Sequence, residues 1–106
     1  MADEPTNARK SFADIAPKLA EITDKVLFGD VWADDTLSPR DRSLVTITNL
    51  VALYRHNELA FHLKKGLENG LTRDEIIAAI THTAFYAGWP TAMTAIQVAR
   101  DALEGA

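Results

Sequence analysis

The stretch SPRDRSLVTITNLVAL, residues 38–53, is the part of the chain that decides the fold. Ser38 offers a hydroxyl to cap a backbone amide, Pro39 suits the first helical position, and Asp41 follows three residues after the cap, so a helix is predicted to start here. Residues 44–53 are apolar on nearly all sides of that helix, which is typical of a helix surrounded by protein. We therefore predict that this is the central helix of the fold.

Four further segments are predicted to be helical, because apolar residues recur every three or four positions and helix-favouring residues dominate. They are a first helix from Ser11 to Val26 closed by Gly29, a third from Glu58 to Leu67 ended by Asn69-Gly70, a fourth from Arg73 to Ala87 that follows a Thr72–Glu75 capping box and stops at Gly88, and a fifth opened by Pro90. A bend is predicted at His56-Asn57. The expected fold class is all-α, a single-domain bundle of about five helices over residues 11–106, after a flexible N-terminus at residues 1–10.

Composition excludes several classes of function. The 106 residues include no cysteine, which rules out disulfides, thiolate nucleophiles and thiolate metal sites. The net charge is −4 and the basic residues are scattered, so no nucleic-acid partner is expected. Uninterrupted apolar runs reach only five residues, as in Leu50 to Tyr54, against roughly 20 for a membrane helix. With no secretory signal pattern in the first residues either, we expect a cytoplasmic protein without membrane association.

Self-association is expected on two grounds. A domain of this size buries only about two thirds of the surface that its extended chain exposes, so its margin of stability is thin. The fifth helix places Ala92, Ala95 and Ala99 at helical spacing, which permits close approach of another helix. Two aromatic residues of the connector after the first helix, Phe28 and Trp32, are expected to pack on the core or on a neighbour.

Arg55, Glu58 and His62 are spaced three and four residues apart, so on a continuous helix they share one narrow sector. A carboxylate four residues before an imidazole can orient the ring and raise its affinity for a proton, which suits a general acid or base near neutral pH. The alternative is that Glu58 and His62 form the polar face of an amphipathic helix, where such a pair contributes only about 0.2–0.5 kcal/mol. The spacing by itself favours this alternative.

Other polar residues are weaker candidates. His82 and Tyr86 lie one turn apart in the fourth helix and could line a pocket, although a histidine in such a setting is more often a hydrogen-bonded core or interface residue. Arg40, Arg42 and Arg55 flank the second helix, and a guanidinium is a natural partner for a substrate carboxylate. No zinc or iron motif appears among the histidines, so no metal is predicted.

Four motifs carry a resemblance when they are read together: Leu37-Ser-Pro-Arg-Asp-Arg-Ser-Leu-Val-Thr-Ile, Glu58-Leu-Ala-Phe-His62, Asn69-Gly-Leu-Thr-x-x-Glu75-Ile and His82-x-x-x-Tyr86-Ala-Gly-Trp-Pro90. In this order and spacing, the chain resembles the carboxymuconolactone decarboxylase family from about Phe12 to Leu103. The resemblance implies an alkylhydroperoxidase D-like fold around an antiparallel helical hairpin, commonly assembled as a hexamer of three dimers. The redox branch of that family has a Cys-x-x-Cys-x-x-x-His motif at the α-helical position of Arg55, Glu58 and His62, so this cysteine-free chain cannot perform that thiol chemistry.

The resemblance also implies an activity, the cofactor-free decarboxylation of a small carboxylated lactone of aromatic catabolism. In that reading His62, oriented by Glu58, protonates the developing enolate, with His82 as a second candidate. Arg42 or Arg55 would hold a substrate carboxylate and Tyr86 would contact the substrate. Dedicated decarboxylases carry an extra arginine-containing N-terminal segment, where this chain has only Met1 to Ser11. The alternatives are a non-catalytic helical oligomer that binds a small ligand or a partner protein, and a metal-assisted hydrolase.

Overall fold

The structure, a computed structural model, describes residues 11–106, which contain helices and no β-strand. Helix α1 leads directly into a π-helix, and four longer α-helices follow. The bounds are α1 Pro17–Ile22, the π-helix Thr23–Val31, α2 Pro39–Ala52, α3 His56–Glu68, α4 Arg73–Ala87 and α5 Trp89–Ala102. The predicted all-α fold class is confirmed, whereas the predicted flexible residues 1–10 lie outside the described residues.

The chain divides into two compact units at Thr36–Leu37, and the described part of the first is residues 11–36. The predicted helix over Ser11–Val26 is wrong at both ends, since α1 begins at Pro17 and the π-helix runs past Gly29. Gly29 does not close the helix but lies within the π-helix, where a Cβ atom at this position would be 2.8 Å from the Asp24 carbonyl oxygen. Glycine, which has no Cβ, fits that turn.

The apolar stripe predicted for this first unit is present, but it is not buried. Leu19, Ile22 and Val26 are each about half exposed, at 56%, 45% and 48%. The aromatic residues Phe28 and Trp32 contact one another, with their ring centroids 6.1 Å apart. Among residues 11–106, every helix is too short or too polar to span a bilayer.

The second unit, residues 37–106, is built from α2 to α5. Helix α2 packs against the other three helices, and α5 likewise packs against α2, α3 and α4. Helices α3 and α4 are joined by a short connection, yet each packs mainly against α2 and α5. Helices α3 and α4 therefore lie diagonally across this four-helix unit, and this placement decides which polar side chains can meet.

Local capping begins and ends these helices as the sequence predicts. The Ser38 hydroxyl accepts the Asp41 backbone N–H at 3.1 Å at the start of α2. Thr72 and Glu75 form a reciprocal capping box at the start of α4, and Gly70, after α3, has a φ of +109°. These short-range bonds satisfy backbone groups that a helix end leaves without partners.

The core of this unit is a cluster of fully buried aliphatic side chains from all four helices. The least exposed of them, at 0% or 1%, are Ile47, Leu59, Leu63, Ile76, Ile80 and Leu103. Ala92, Ala95 and Ala99 line the buried face of α5. The close approach that their spacing predicts is therefore to helices of the same chain, and these alanines give no ground for self-association. At Gly66 the approach is close, because a Cβ there would lie 3.0 Å from Ile47 Cδ1.

Within this chain, α2 is covered on one face. Its buried residues are Ser43, Ile47 and Val51, while Val45 is 49% exposed, so one chain supplies only part of the protein surroundings that the sequence predicts. The bend predicted after α2 is misplaced. The bend falls two to three residues before the predicted place. It lies at Tyr54, which has a φ of +60°, and α3 begins at His56 itself.

Candidate functional site

Arg55, Glu58 and His62, named here the α3 cluster, follow one another along the first two turns of α3. Arg55 is the residue before the helix, and its guanidinium holds the Glu58 carboxylate through Nε and Nη2, at 2.9 and 2.8 Å from Oε1. A carboxylate is favoured in the first turn of a helix, where the backbone dipole is positive. Arg55 is predicted to bind a substrate carboxylate. Its guanidinium is already bound to Glu58, so the Glu58 carboxylate competes with the substrate for this arginine.

His62 is half-buried beside Leu63, with its ring edge-on to Phe61 at 5.0 Å between centroids. Burial lowers the pKa of its imidazole, because the charged form loses hydration, and the Lys65 ammonium lowers it further. The sequence hypothesis predicted the opposite direction, since it expected the Glu58 carboxylate to raise the pKa of His62. The free protein therefore holds His62 mainly as the neutral imidazole at neutral pH.

This lowered pKa predicts a pH-dependent stability. Folding favours neutral His62, whereas the unfolded chain takes up a proton below a pKa of about 6.5. The contribution of His62 to stability is thus complete above about pH 6.5 and is lost as the pH falls through the lower pKa of the folded state. We expect the free energy of unfolding, measured by urea denaturation, to fall between about pH 7.5 and 5.5. The His62→Gln variant should show a shallower fall, and an unchanged slope in that variant would contradict the assignment.

The arginines at the start of α2 have different surroundings. Arg40 forms ion pairs with Glu75 of α4 and with the adjacent Asp41. The pKa of the Glu75 carboxyl is lowered, first by the hydrogen bond from the Thr72 backbone N–H and then by Arg40. Arg40 thus links the N-terminal ends of α2 and α4. Arg42, two positions on, is half-buried.

His82 and Tyr86 lie elsewhere, in an open hollow between α2 and α4 that we name the α2–α4 hollow. Its volume is about 400 Å³, and its lining is Thr48, Asn49, Ala52, His82, Thr83, Tyr86 and Ala87. The two rings lie 4.9 Å apart between centroids, and both side chains are exposed. The sequence interpretation that His82 and Tyr86 could line a pocket together is consistent with this placement.

A second hollow lies between α4 and α5 and has a volume of about 440 Å³. Its lining is mostly apolar, from Ile80, Thr81, Ala84, Trp89, Ala92, Met93, Thr94, Ile96 and Gln97. Neither hollow is lined by Arg42 or by a member of the α3 cluster. Because α3 and α4 are diagonal, one copy of the second unit does not bring His62 and His82 to one hollow.

Sequence reasoning missed Thr48, Asn49 and Thr83, which also line the α2–α4 hollow. A weak signal was present, since Thr48 and Asn49, together with Thr46, interrupt the mostly apolar stretch of residues 44–53. Among the described residues, no group of three or more His, Asp or Glu side chains is placed to hold a metal ion.

The fold and these polar clusters define a class of protein. It is a small helical protein without a thiol, in which an arginine, a glutamate and a histidine are spaced three and four residues apart at the start of one helix. Residues 17–101 match the carboxymuconolactone decarboxylase family, and the chain belongs to that family. It is 42% identical over 74 residues to 4-carboxymuconolactone decarboxylase of Acinetobacter baylyi, covering 70% of this chain and 55% of that protein. It is also 30% identical over 83 residues to nitrosuccinic acid decarboxylase npaB of Metarhizium robertsii, covering 78% of this chain and 58% of that protein. The chain thus spans little more than half the length of each of these relatives.

Proposed function

We propose that the protein decarboxylates a small carboxylic acid without a cofactor, through a proton-transferring His62. The observation that supports this most is the family match, because residues 17–101 include the α3 cluster. The two relatives compared above are both named as decarboxylases. A carboxylated lactone of aromatic catabolism is the first substrate to consider, because the more similar relative is named for one.

The two named substrates share a reactive arrangement although they differ as molecules. In 4-carboxymuconolactone one carboxylate is attached to the unsaturated lactone. In nitrosuccinic acid one carboxylate is attached to the carbon that bears the nitro group. When carbon dioxide leaves, the electron pair of the broken C–C bond moves into the lactone carbonyl or into the nitro group. The resulting anion then takes up one proton at carbon, so the protein needs a group that stabilises negative charge and a group that donates a proton.

His62 fits the second requirement. A substrate carboxylate next to the ring would favour the imidazolium and so raise the pKa that burial has lowered in the free protein. The proton would then be taken up with the substrate and passed to carbon after carbon dioxide leaves. In this proposal Glu58 sits one turn before His62, held by Arg55, and Arg42 binds the substrate carboxylate.

His82 as a second proton donor and Tyr86 as a substrate contact require a second copy of the chain, because α3 and α4 are diagonal within one copy. We propose a homo-oligomer, with a hexamer of three dimers as its form. Exposed apolar side chains on the second unit support association: Leu53 is 69% exposed, Phe85 70% and Trp89 59%. Covering such side chains on a neighbouring copy removes apolar area from water.

The direct test is carbon dioxide release by the purified protein, measured separately with 4-carboxymuconolactone and with nitrosuccinic acid. We expect turnover of the lactone well above the uncatalysed rate, and weaker or no turnover of the nitro acid, because the lactone decarboxylase shares more of this sequence. A protein that binds the lactone saturably but releases no carbon dioxide from either acid would favour the non-catalytic oligomer instead. The non-catalytic oligomer is supported by one observation, since neither Glu58 nor His62 lines either of the two hollows described above.

A further inference from the structure

Helices α2 and α3 end with the same hydrogen-bonding motif, but with different residues at its centre. After α3, Gly70 has a φ of +109°, and the N–H of the next residue donates five residues back to the Gly66 carbonyl at 2.9 Å. After α2, Tyr54 has a φ of +60°, and the N–H of Arg55 donates five residues back to the Leu50 carbonyl at 2.8 Å. Glycine is usual at the centre of this motif, because a Cβ atom is crowded in the left-handed conformation. Tyr54 therefore holds a backbone conformation that glycine would adopt with less strain.

The side chain of Tyr54 makes a contact that glycine cannot make. Its hydroxyl lies 3.4 Å from Thr94 Oγ1 of α5, a long hydrogen bond. Both residues line a narrow crevice where α2, α3 and α5 meet. A strained residue persists only where the surrounding structure holds it, and such residues are frequent at functional sites. The contact with α5 thus gives a reason for a tyrosine at this position.

The turn at Tyr54 leads directly into the α3 cluster. Arg55 is the next residue, and its guanidinium holds the Glu58 carboxylate. The Arg55 carbonyl also accepts the Glu58 backbone N–H, at 3.2 Å. Both the backbone and the side chain of Glu58 are therefore held from Arg55, whose own place is set by the turn.

We propose that Tyr54 is a positioning residue for the decarboxylation. Its side chain anchors the α2–α3 turn on α5, and this anchor fixes Arg55 and, through it, Glu58 one turn before His62. The expected effect on turnover rests on the function proposed above. The effect on the backbone does not, because it is present without any substrate.

Tyr54→Gly separates positioning from stability. Glycine suits the left-handed backbone, so the urea midpoint of unfolding should stay the same or rise. Without the anchor, hydrogen exchange at the amides of Arg55 and Glu58 should become about tenfold faster relative to the amide of Leu63 in the core. We expect kcat to fall about tenfold, with a smaller change in KM, because small displacements of positioned groups slow a reaction strongly.

Two results for Tyr54→Gly would overturn the proposal. One is unchanged exchange at Arg55 and Glu58. The other is a lower urea midpoint with equally faster exchange at Leu63, since a residue that only stabilises the fold would affect all these amides together. A wild-type protein that releases no carbon dioxide would refute the proposed function instead, and exchange would still decide whether Tyr54 holds the turn.

The anchor itself is tested from both ends. Tyr54→Phe and Thr94→Val each remove the hydrogen bond at nearly constant volume, and each should speed exchange at Arg55 and Glu58 about threefold. The double variant should add nothing further, because both substitutions remove one interaction. Thr91→Val is the matched control, since Thr91 is also half-buried on α5 and lines the same crevice, and it should leave exchange and kcat unchanged. Equal effects of Thr94→Val and Thr91→Val would refute the anchor.

Discussion

Replacing His62 with glutamine should lower kcat for decarboxylation by about 10²- to 10⁴-fold, the range that a positioned proton donor contributes. Glutamine keeps a similar length and an N–H group, but it cannot give up a proton near neutral pH. KM should change less than kcat, because binding loses one contact between a substrate carboxylate and the imidazole, whereas the protonation step loses its proton donor. The measurement is carbon dioxide release at saturating and at limiting substrate concentrations.

The pH dependence adds a second readout of the same residue. In the free protein the pKa of His62 is lowered by burial, so kcat/KM should fall as the pH rises through a value below about 6.5. In the substrate complex a nearby carboxylate raises that pKa, so kcat should fall at a higher pH than kcat/KM does. Both pH dependences should disappear in His62→Gln.

His56→Gln is the matched control for this experiment. His56 begins the same helix, where its ring lies edge-on to Tyr54 at 5.0 Å, and the proposed reaction does not use it. We expect kcat of this variant to stay near the wild-type value. Wild-type kcat in His62→Gln would remove His62 from the reaction, whatever the family match implies.

Shortening Leu63 to alanine should lower the free energy of unfolding by about 2–5 kcal/mol. Leu63 is 0% exposed and lies in the core cluster together with Ile47, Leu59 and Ile76. The substitution removes buried apolar atoms and leaves a cavity that the surrounding helices can fill only in part. For a unit of this size the loss corresponds to a decrease in Tm of roughly 10 °C or more.

The measurement is urea denaturation at a fixed protein concentration, since association would make stability depend on concentration. Lys64→Ala is the control, because Lys64 is the exposed neighbour on the same helix, and its effect should stay within about 0.5 kcal/mol. A loss below about 1 kcal/mol for Leu63→Ala would mean that this side chain does not occupy the centre of the packed core.

Helix starts and ends were predicted best where short-range chemistry decides them. The caps at Ser38 and Thr72 are hydrogen bonds between residues three positions apart, and the turn at Gly70 uses a positive φ that glycine adopts without strain. The prediction failed at Gly29, because a glycine that often ends an α-helix can also admit the close carbonyl of a π turn. Both outcomes are compatible with the same local sequence.

The predicted burial of α2 is met only in part by one chain. A helix that is apolar on nearly all sides indicates that its surroundings are apolar, but it does not say whether those surroundings belong to the same chain. In the structure one face, with Ile47 and Val51, is covered by neighbouring helices, while Val45 stays about half exposed. The sequence pattern therefore predicts that the apolar surface of α2 is buried, and contacts within one chain bury only part of it.

The sequence by itself determined the helical class, the exclusion of thiol chemistry and the positions of most helix ends, because these follow from composition and from contacts within one or two turns. Tertiary structure alone decided that α3 and α4 are diagonal and that burial lowers the pKa of His62. Hydration of an imidazole and the meeting of two helices depend on residues far away in the chain. No spacing along a single helix contains that information.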